Sequence, residues 1–247
     1  MSAAPTPGPH VTIFVPAYNE VDNLHGTIED IAAAAEALAQ YEIIIVDDGS
    51  TDGTGALADR LAATRPGVRV IHTAVNRGLA AGYRAALAAA RLPYFTFVPG
   101  DREVSRASIR EILGAVGSAD IVVPYHANPE GRPWHRRVLT AVSTGLINTL
   151  FGLRLRYFQG PCVYHTELAR SLPTTTAGFF FLAEMLIRAL SRGHGFVEVG
   201  LQHQERAHGR SKAVSLRNIA RALTMIIRLW WTIRVRKRDV RPKEVPA

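Results

Sequence analysis

VTIFVPAYNE (11–20) and YEIIIVDDGSTDGT (41–54) decide the fold class. Each begins as a short apolar run rich in β-branched residues, as strands covered on both faces do, and each ends in a polar turn. The pattern returns at VRVIHTA (68–74), YFTFVPG (94–100) and ADIVVPY (119–125). Ala-rich amphipathic stretches at roughly 22–39, 53–65, 78–91 and 105–117 read as helices between them. Such alternation needs crossover connections, and it predicts an α/β fold with a mostly parallel sheet flanked by helices.

Past Tyr125 the rhythm changes. HANPEGRPW (126–134) is a polar loop with two prolines, and 135–151 reads as a helix. PCVYHT (161–166) and GFVEVGL (195–201) read as later strands around a helix at about 178–192. The organisation expected is a loose tail over 1–10, one domain over 11–213, an amphipathic helix over 214–236 and a basic tail over 237–247.

Composition narrows the class. A chain of 247 residues can bury one full core, and 47% hydrophobic with 20% charged residues excludes wholesale disorder. Cys162 is the single cysteine, so no internal disulfide forms and a reducing, cytoplasmic setting is expected. Residues 1–10 lack the charged start and apolar stretch of a signal peptide. No apolar run reaches the ~18 residues that span a bilayer.

The net charge of +8 is unevenly placed. From Arg206 onward there are 12 Lys/Arg against Asp239 and Glu244, whereas residues 1–205 carry 17 basic and 19 acidic side chains. A basic segment of this kind suits anionic lipid or nucleic acid. The body carries no nucleic-acid motif or interleaved aromatic surface, so nucleic acid is not the expected partner.

In open α/β sheets ligands sit at the carboxyl ends of strands. Strand one ends in Pro16-Ala17-Tyr18-Asn19-Glu20 and strand two in Asp47-Asp48-Gly49-Ser50, with neither G-x-G-x-x-G nor G-x-x-x-x-G-K-[ST] after strand one. A strand-end carboxylate such as Asp48 can accept hydrogen bonds from a base or a ribose, while Asp52 reads as a cap for the following helix. Strand four ends in Pro99-Gly100-Asp101-Arg102-Glu103, where Asp101 and Glu103 offer two hard oxygen ligands to Mg2+ or Mn2+. Basic residues at Arg132, Arg136 and Arg137, and again at Arg206, Arg210 and Lys212, could clamp phosphates. His203 and His208 lack the spacing of a zinc site.

Taken together, VPAYNE (15–20), VDDGSTDGT (46–54), NRGLAAGYRAAL (76–87), the strand-four acidic loop, FLAEMLIRAL (181–190) and VEVGLQHQERAHGRSK (197–212) resemble the family 2 glycosyltransferases. The likeness is strongest to the dolichyl- or polyprenyl-phosphate sugar synthases. It implies a GT-A fold, a GDP- or UDP-linked sugar donor, a divalent metal and inversion at the sugar carbon. By that likeness Pro16, Ala17, Tyr18, Glu20, Asp47, Asp48, Gly78 and Gly100 would hold the nucleotide sugar. The likeness also gives the metal to Asp101 and the donor diphosphate to Arg206 and Lys212; from their own chemistry, Glu103 is a second metal ligand and Arg132, Arg136 and Arg137 are the candidates for the acceptor phosphate.

Two departures from the family pattern stand out. Pro99 replaces the first carboxylate of the acidic loop and Glu103 takes a Gln position, while Phe158-Gln159-Gly160-Pro161-Cys162 replaces a Thr-Ser-Gly-Phe segment. A phosphate acceptor is ionised at neutral pH and needs positioning more than a base. A hydroxyl acceptor would need one, and Glu184 is the candidate. Alternatives to a lipid phosphate are therefore a lipid or glycan hydroxyl, or a nucleotide-sugar-binding module without catalysis.

The closing helix carries the membrane expectation. Leu216, Ile219, Ala220, Leu223, Ile226, Ile227, Trp230 and Ile233 recur at helical spacing, with Arg217, Arg221 and Arg228 largely opposite. This combination marks a helix lying in the membrane interface, and it places the protein peripherally on the inner face.

Overall fold

A computed structural model of the chain describes residues 8–128, 134–176, 178, 180–202 and 216–236. The first half alternates as expected: β1 (His10–Ala17), α1 (Val21–Ala34), β2 (Gln40–Asp47), α2 (Thr54–Thr64), β3 (Val68–His72), α3 (Leu79–Ala89), β4 (Tyr94–Phe97) and α4 (Arg106–Gly114). The second half holds β5 (Ile121–His126), α5 (Trp134–Phe151), β6 (Val163–His165), α6 (Thr166–Ser171), α7 (Phe180–Ser191), β7 (Phe196–Leu201) and α8 (Leu216–Trp230). Seven strands form one sheet in the order β3-β2-β1-β4-β6-β5-β7. All neighbours are parallel except at β6, which runs antiparallel to both β4 and β5. That inserted strand is the break in rhythm past Tyr125.

Alternation along the strands explains why the sheet is covered twice. Phe14, Ile44 and Val46 enter a core shared with α3, α5, α7 and α8. Their neighbours Ile13, Val15, Ile43 and Ile45 enter a second core under α1, α2 and α4. Successive strand side chains point to opposite faces, so a run apolar at every position is apolar because both faces are buried.

Several boundaries differ from expectation. The first helix ends at Ala34, followed by a 3-10 turn at Ala35–Ala37, because β2 already begins at Gln40. The strand expected over 161–166 is three residues long, and the short helix α6 starts at once from Thr166, whose hydroxyl donates to Leu92 O at 2.6 Å. The last helix is α-helical only to Trp230 and continues as a π-helical turn, Trp231–Val235. Its apolar residues divide between two roles. Ile226, Leu229 and Ile233 are buried in the main core, whereas Leu223, Ile227 and Trp231 are exposed, so only part of the face expected to meet a membrane is free to do so.

Candidate functional site

The strand-two carboxylates point to different places. Asp48 lines a cleft, and its Oδ1 accepts from Arg77 N and the Thr73 hydroxyl, both at 2.9 Å, while Oδ2 accepts from Gly78 N at 2.7 Å. It thereby holds the loop between β3 and α3 against the end of β2. Asp47, expected beside it in the nucleotide site, belongs to the other face and does not line the cleft: Oδ1 accepts from Ser50 N and Oδ2 meets His72 Nδ1. Burial opposes its charge, but the Ser50 and His72 hydrogen bonds outweigh it and hold the Asp47 carboxyl below the usual range. Adjacent strand residues face opposite ways, which separates the two aspartates. The N-cap of α2 is Gly53, not Asp52 as expected; Asp52, one residue earlier, accepts from Thr54 N and Thr54 Oγ1 through Oδ1 and ties down Val21 N through Oδ2.

The strand-one loop is locked to the same turn. Asn19 sits at φ 56, its N–H donates to Ser50 Oγ and its Oδ1 accepts from Thr51 N. Asn tolerates that left-handed conformation better than most residues. Tyr18 and Glu20 on either side line the cleft with Pro16 and Ala17.

At the end of β4, Gly100 passes so close to strand one that a Cβ there would lie 2.6 Å from Pro16 O. Only glycine allows that approach, which Gly100 N→Pro16 O at 3.2 Å closes. Arg102 then takes φ 60 and sends its side chain away to Asp30 Oδ2, while Arg106 donates from both Nε and Nη2 to Asp30 Oδ1. Burial works against the Asp30 charge, and the two guanidiniums overcome it to keep its carboxyl low. With Arg102 pinned behind the turn, Asp101 and Glu103 both line the cleft, Asp101 being only 9% exposed.

The cleft, of about 260 Å³, thus gathers Pro16, Ala17, Tyr18, Glu20, Asp48, Gly78, Gly100, Asp101 and Glu103 at the carboxyl edge of β1, β2 and β4. Its floor is apolar, built by Phe14, Val46, Leu79, Gly82, Phe97 and Pro99. Among the described residues no three His, Cys, Asp or Glu stand together as metal ligands. An ion at Asp101 and Glu103 would therefore draw its remaining ligands from a bound phosphate and water, which suits hard oxygen-seeking Mg2+ or Mn2+.

Other expected residues lie elsewhere. Glu184 is 1% exposed inside α7 and accepts from both the N–H and hydroxyl of Thr175 and of Thr176, and from Arg188 Nε and Nη2. Burial raises its pKa, but those donors prevail and hold the carboxyl below the ordinary range. A carboxylate so fully engaged anchors the strap before α7, and this corrects its reading as a base for a substrate hydroxyl. Arg137 is exposed in the first turn of α5; Arg136 is in the same turn, its side chain outside the described set. Arg132, Arg206, Arg210 and Lys212 lie outside the described residues.

Sequence reading missed the floor residues and Asn76, though Asn76 follows strand three and so could have been found by position. The Asp30–Arg102 pair spans 72 residues and no local pattern signals it.

Residues 12–181 match the profile described as Glycosyl transferase family 2. A polyprenol monophosphomannose synthase of Mycolicibacterium smegmatis is 32% identical, over 93% of this chain and 89% of that one. An undecaprenyl-phosphate mannosyltransferase of Micrococcus luteus is 29% identical, over 82% and 86% respectively. Among solved structures, glucosyl-3-phosphoglycerate synthase from Mycobacterium tuberculosis, in complex with Mn2+, UDP and glucosyl-3-phosphoglycerate, superposes with a TM-score of 0.66. That match is 21% identical and covers 96% of this chain and 82% of the other.

Proposed function

The chain belongs to glycosyltransferase family 2 and has its GT-A fold, and from that premise we propose that it transfers a sugar from a GDP- or UDP-linked donor to the phosphate of a polyprenyl-type lipid. The observation that carries the reading is the single cleft that unites the strand-one loop, the Asp48 turn and the Asp101–Glu103 pair. The nucleoside would lie on Phe14, Val46 and Gly82 between Tyr18 and Asp48, with the diphosphate reaching Asp101 and Glu103. A divalent ion held there would neutralise the charge of the departing diphosphate. The acceptor oxygen would attack the sugar carbon from the side opposite the leaving group, inverting it.

A phosphate acceptor arrives already ionised, so this chain has to orient it and offset its charge. Arg132, Arg136 and Arg137 are the residues proposed for that work, with Arg206 and Lys212 on the donor diphosphate. The full engagement of Glu184 by Thr175, Thr176 and Arg188 favours phosphate over hydroxyl, since a hydroxyl would need a base. The names of the two relatives point to the same class of acceptor.

A lipid acceptor calls for a surface that meets the bilayer, and two touching helices offer one. Among the described residues ten large hydrophobics are exposed, and seven of them lie on α5 or on α8 and its π turn. Trp134, Val138 and Val142 recur every fourth residue on α5, as do Leu223, Ile227, Trp231 and Val235 on the other, so each set forms one stripe. Exposed Arg137, Arg228, Arg234 and Arg236 accompany them and would attract anionic lipid from the cytoplasmic side. No helix among the described residues is long and apolar enough to cross a membrane, so the proposed attachment is peripheral.

Incubation with labelled nucleotide sugars and polyprenyl phosphate, followed by extraction into organic solvent, tests the reading. Label entering the organic phase only with divalent ion present is the expected result. Tight nucleotide binding with no product from any donor would overturn it in favour of a binding module.

A further inference from the structure

His72, at the end of β3, lies between two carboxylates. Its Nδ1 is 3.0 Å from Asp47 Oδ2 on β2, and its Nε2 is 3.0 Å from Asp59 Oδ1 on α2. A neutral imidazole has one N–H and one lone pair, so it would turn that lone pair toward a carboxylate oxygen. Both contacts are hydrogen bonds only when both nitrogens carry protons. The space is also built for the contact: a Cβ on Gly55 would come 2.7 Å from Asp47 Oδ2 and 3.5 Å from His72 Cε1.

The ring connects to the cleft through three links. Asp47 Oδ1 holds Ser50 N at 3.1 Å, Ser50 Oγ accepts from Asn19 N at 3.0 Å, and Asn19 separates Tyr18 from Glu20, both of which line the cleft. The neighbouring residue acts in parallel on the other face, where the Thr73 hydroxyl donates to Asp48. The last residue of β3 and the residue after it thus reach back to the last residue of β2 and the residue after it, His72 to Asp47 and Thr73 to Asp48.

We propose that His72, as an imidazolium, is a positioning residue for donor binding: it fixes Asp47 and the Ser50 turn and thereby the Tyr18–Glu20 rim, so donor affinity falls as the ring loses its proton. The inference rests on the proposed donor site. The charged groups that face the ring are Asp47 from β2 and Asp59 from α2, and their hydrogen bonds, in that order, raise the His72 pKa above its ordinary value. For a raised pKa the contribution is complete below the ordinary imidazole range and is lost as pH rises through the raised value. Because His72 and Asp59 are largely exposed, the effect is moderate.

Two measurements test it. Nitrogen-15 spectra of the His72 ring across the imidazole range read its charge directly, without any ligand. An imidazolium at neutral pH, with a midpoint lowered in Asp59→Asn, is expected; a neutral ring there overturns the proposal. In parallel, KM for GDP-mannose or UDP-glucose, whichever the protein uses, is followed over the same range, since a nucleotide sugar's diphosphate does not itself titrate there. Wild type should lose affinity as pH rises. His72→Gln should raise KM about fivefold at low pH, flatten the pH dependence and leave kcat unchanged. A His72→Gln protein with wild-type KM and the wild-type pH slope overturns the positioning role even if the ring is charged. Should neither sugar bind, the donor-site reading fails while the spectra still report on His72.

Discussion

The cleft edge and the α5–α8 flank differ in how completely they satisfy themselves. At the cleft edge, Asp48, Asp52 and Asn19 accept from backbone amides of distant segments and Gly100 donates its own to Pro16 O, so the walls are organised before a ligand arrives. On the flank, two helices bury one side in the core and leave apolar stripes uncovered. A preorganised polar cleft suits a ligand that must be held in one geometry. A pair of exposed stripes suits a fluid partner that needs no fixed register. The difference separates the proposed donor site from the proposed membrane surface, and substitutions can test whether the two are altered independently.

The largest effect should come from the buried carboxylate of α7, which belongs to neither region. Glu184→Ala leaves Arg188, 5% exposed, as a buried charge without its partner and should cost about 3–5 kcal/mol in denaturant unfolding. Because the Glu184 pKa is lowered on folding, its contribution is present above the ordinary carboxylate range and is lost as pH falls through the lowered value. Glu184→Gln should therefore flatten the acid limb of the stability curve. A variant that stayed as stable as wild type but lost transfer would return Glu184 to the chemistry.

Next in size is the acidic loop. Asp101→Asn should cut sugar transfer by about 10²–10³-fold, with thermal unfolding unchanged, if leaving-group charge is offset there. Chelator should do the same to wild type. Full activity in excess chelator would mean that cationic side chains carry that charge alone.

Asp48→Ala removes the acceptor for Arg77 N, Gly78 N and the Thr73 hydroxyl together. Calorimetry with nucleoside diphosphate should show a loss of about 1.5–3 kcal/mol, the scale of charge-assisted hydrogen bonds. An unchanged affinity in the folded variant would detach that turn from donor binding.

The smallest change to the fold sharpens the comparison most. Val138→Glu on α5 and Ile227→Glu on α8 both alter exposed positions, 52% and 61% accessible, and each should shift stability by less than about 0.5 kcal/mol. Each should also weaken flotation with anionic vesicles while nucleotide binding stays as in wild type. If vesicle binding survives the pair, the stripes have another partner; if nucleotide binding falls with it, the two regions are not separate.

Strand identity, the parallel first half and the strand-end residues of the cleft rim followed from sequence because they rest on local rules. An apolar run between turns is a strand wherever it lies, and strand ends in such sheets face ligands. This placed Asp48, Asp101 and Glu103 correctly at the cleft. The same rules could not separate Asp47 from Asp48, because a shift of one residue changes the face and only the pairing of β2 with β3 shows where each side chain goes. Glu184 in FLAEM was a candidate base on sequence because its partners Thr175 and Thr176 lie across a strap, and only packing shows that they and Arg188 enclose it. The apolar repeat of α8 was legible, but not its division between core and surface, since a stripe has the same period whichever of its residues the body covers. Sequence by itself determined which segments build the sheet and which strand ends carry chemistry, both consequences of local pattern. Tertiary structure alone decided which face Asp47 and Asp48 each serve, because that depends on His72 and Gly78, brought to them from 25 and 30 residues away.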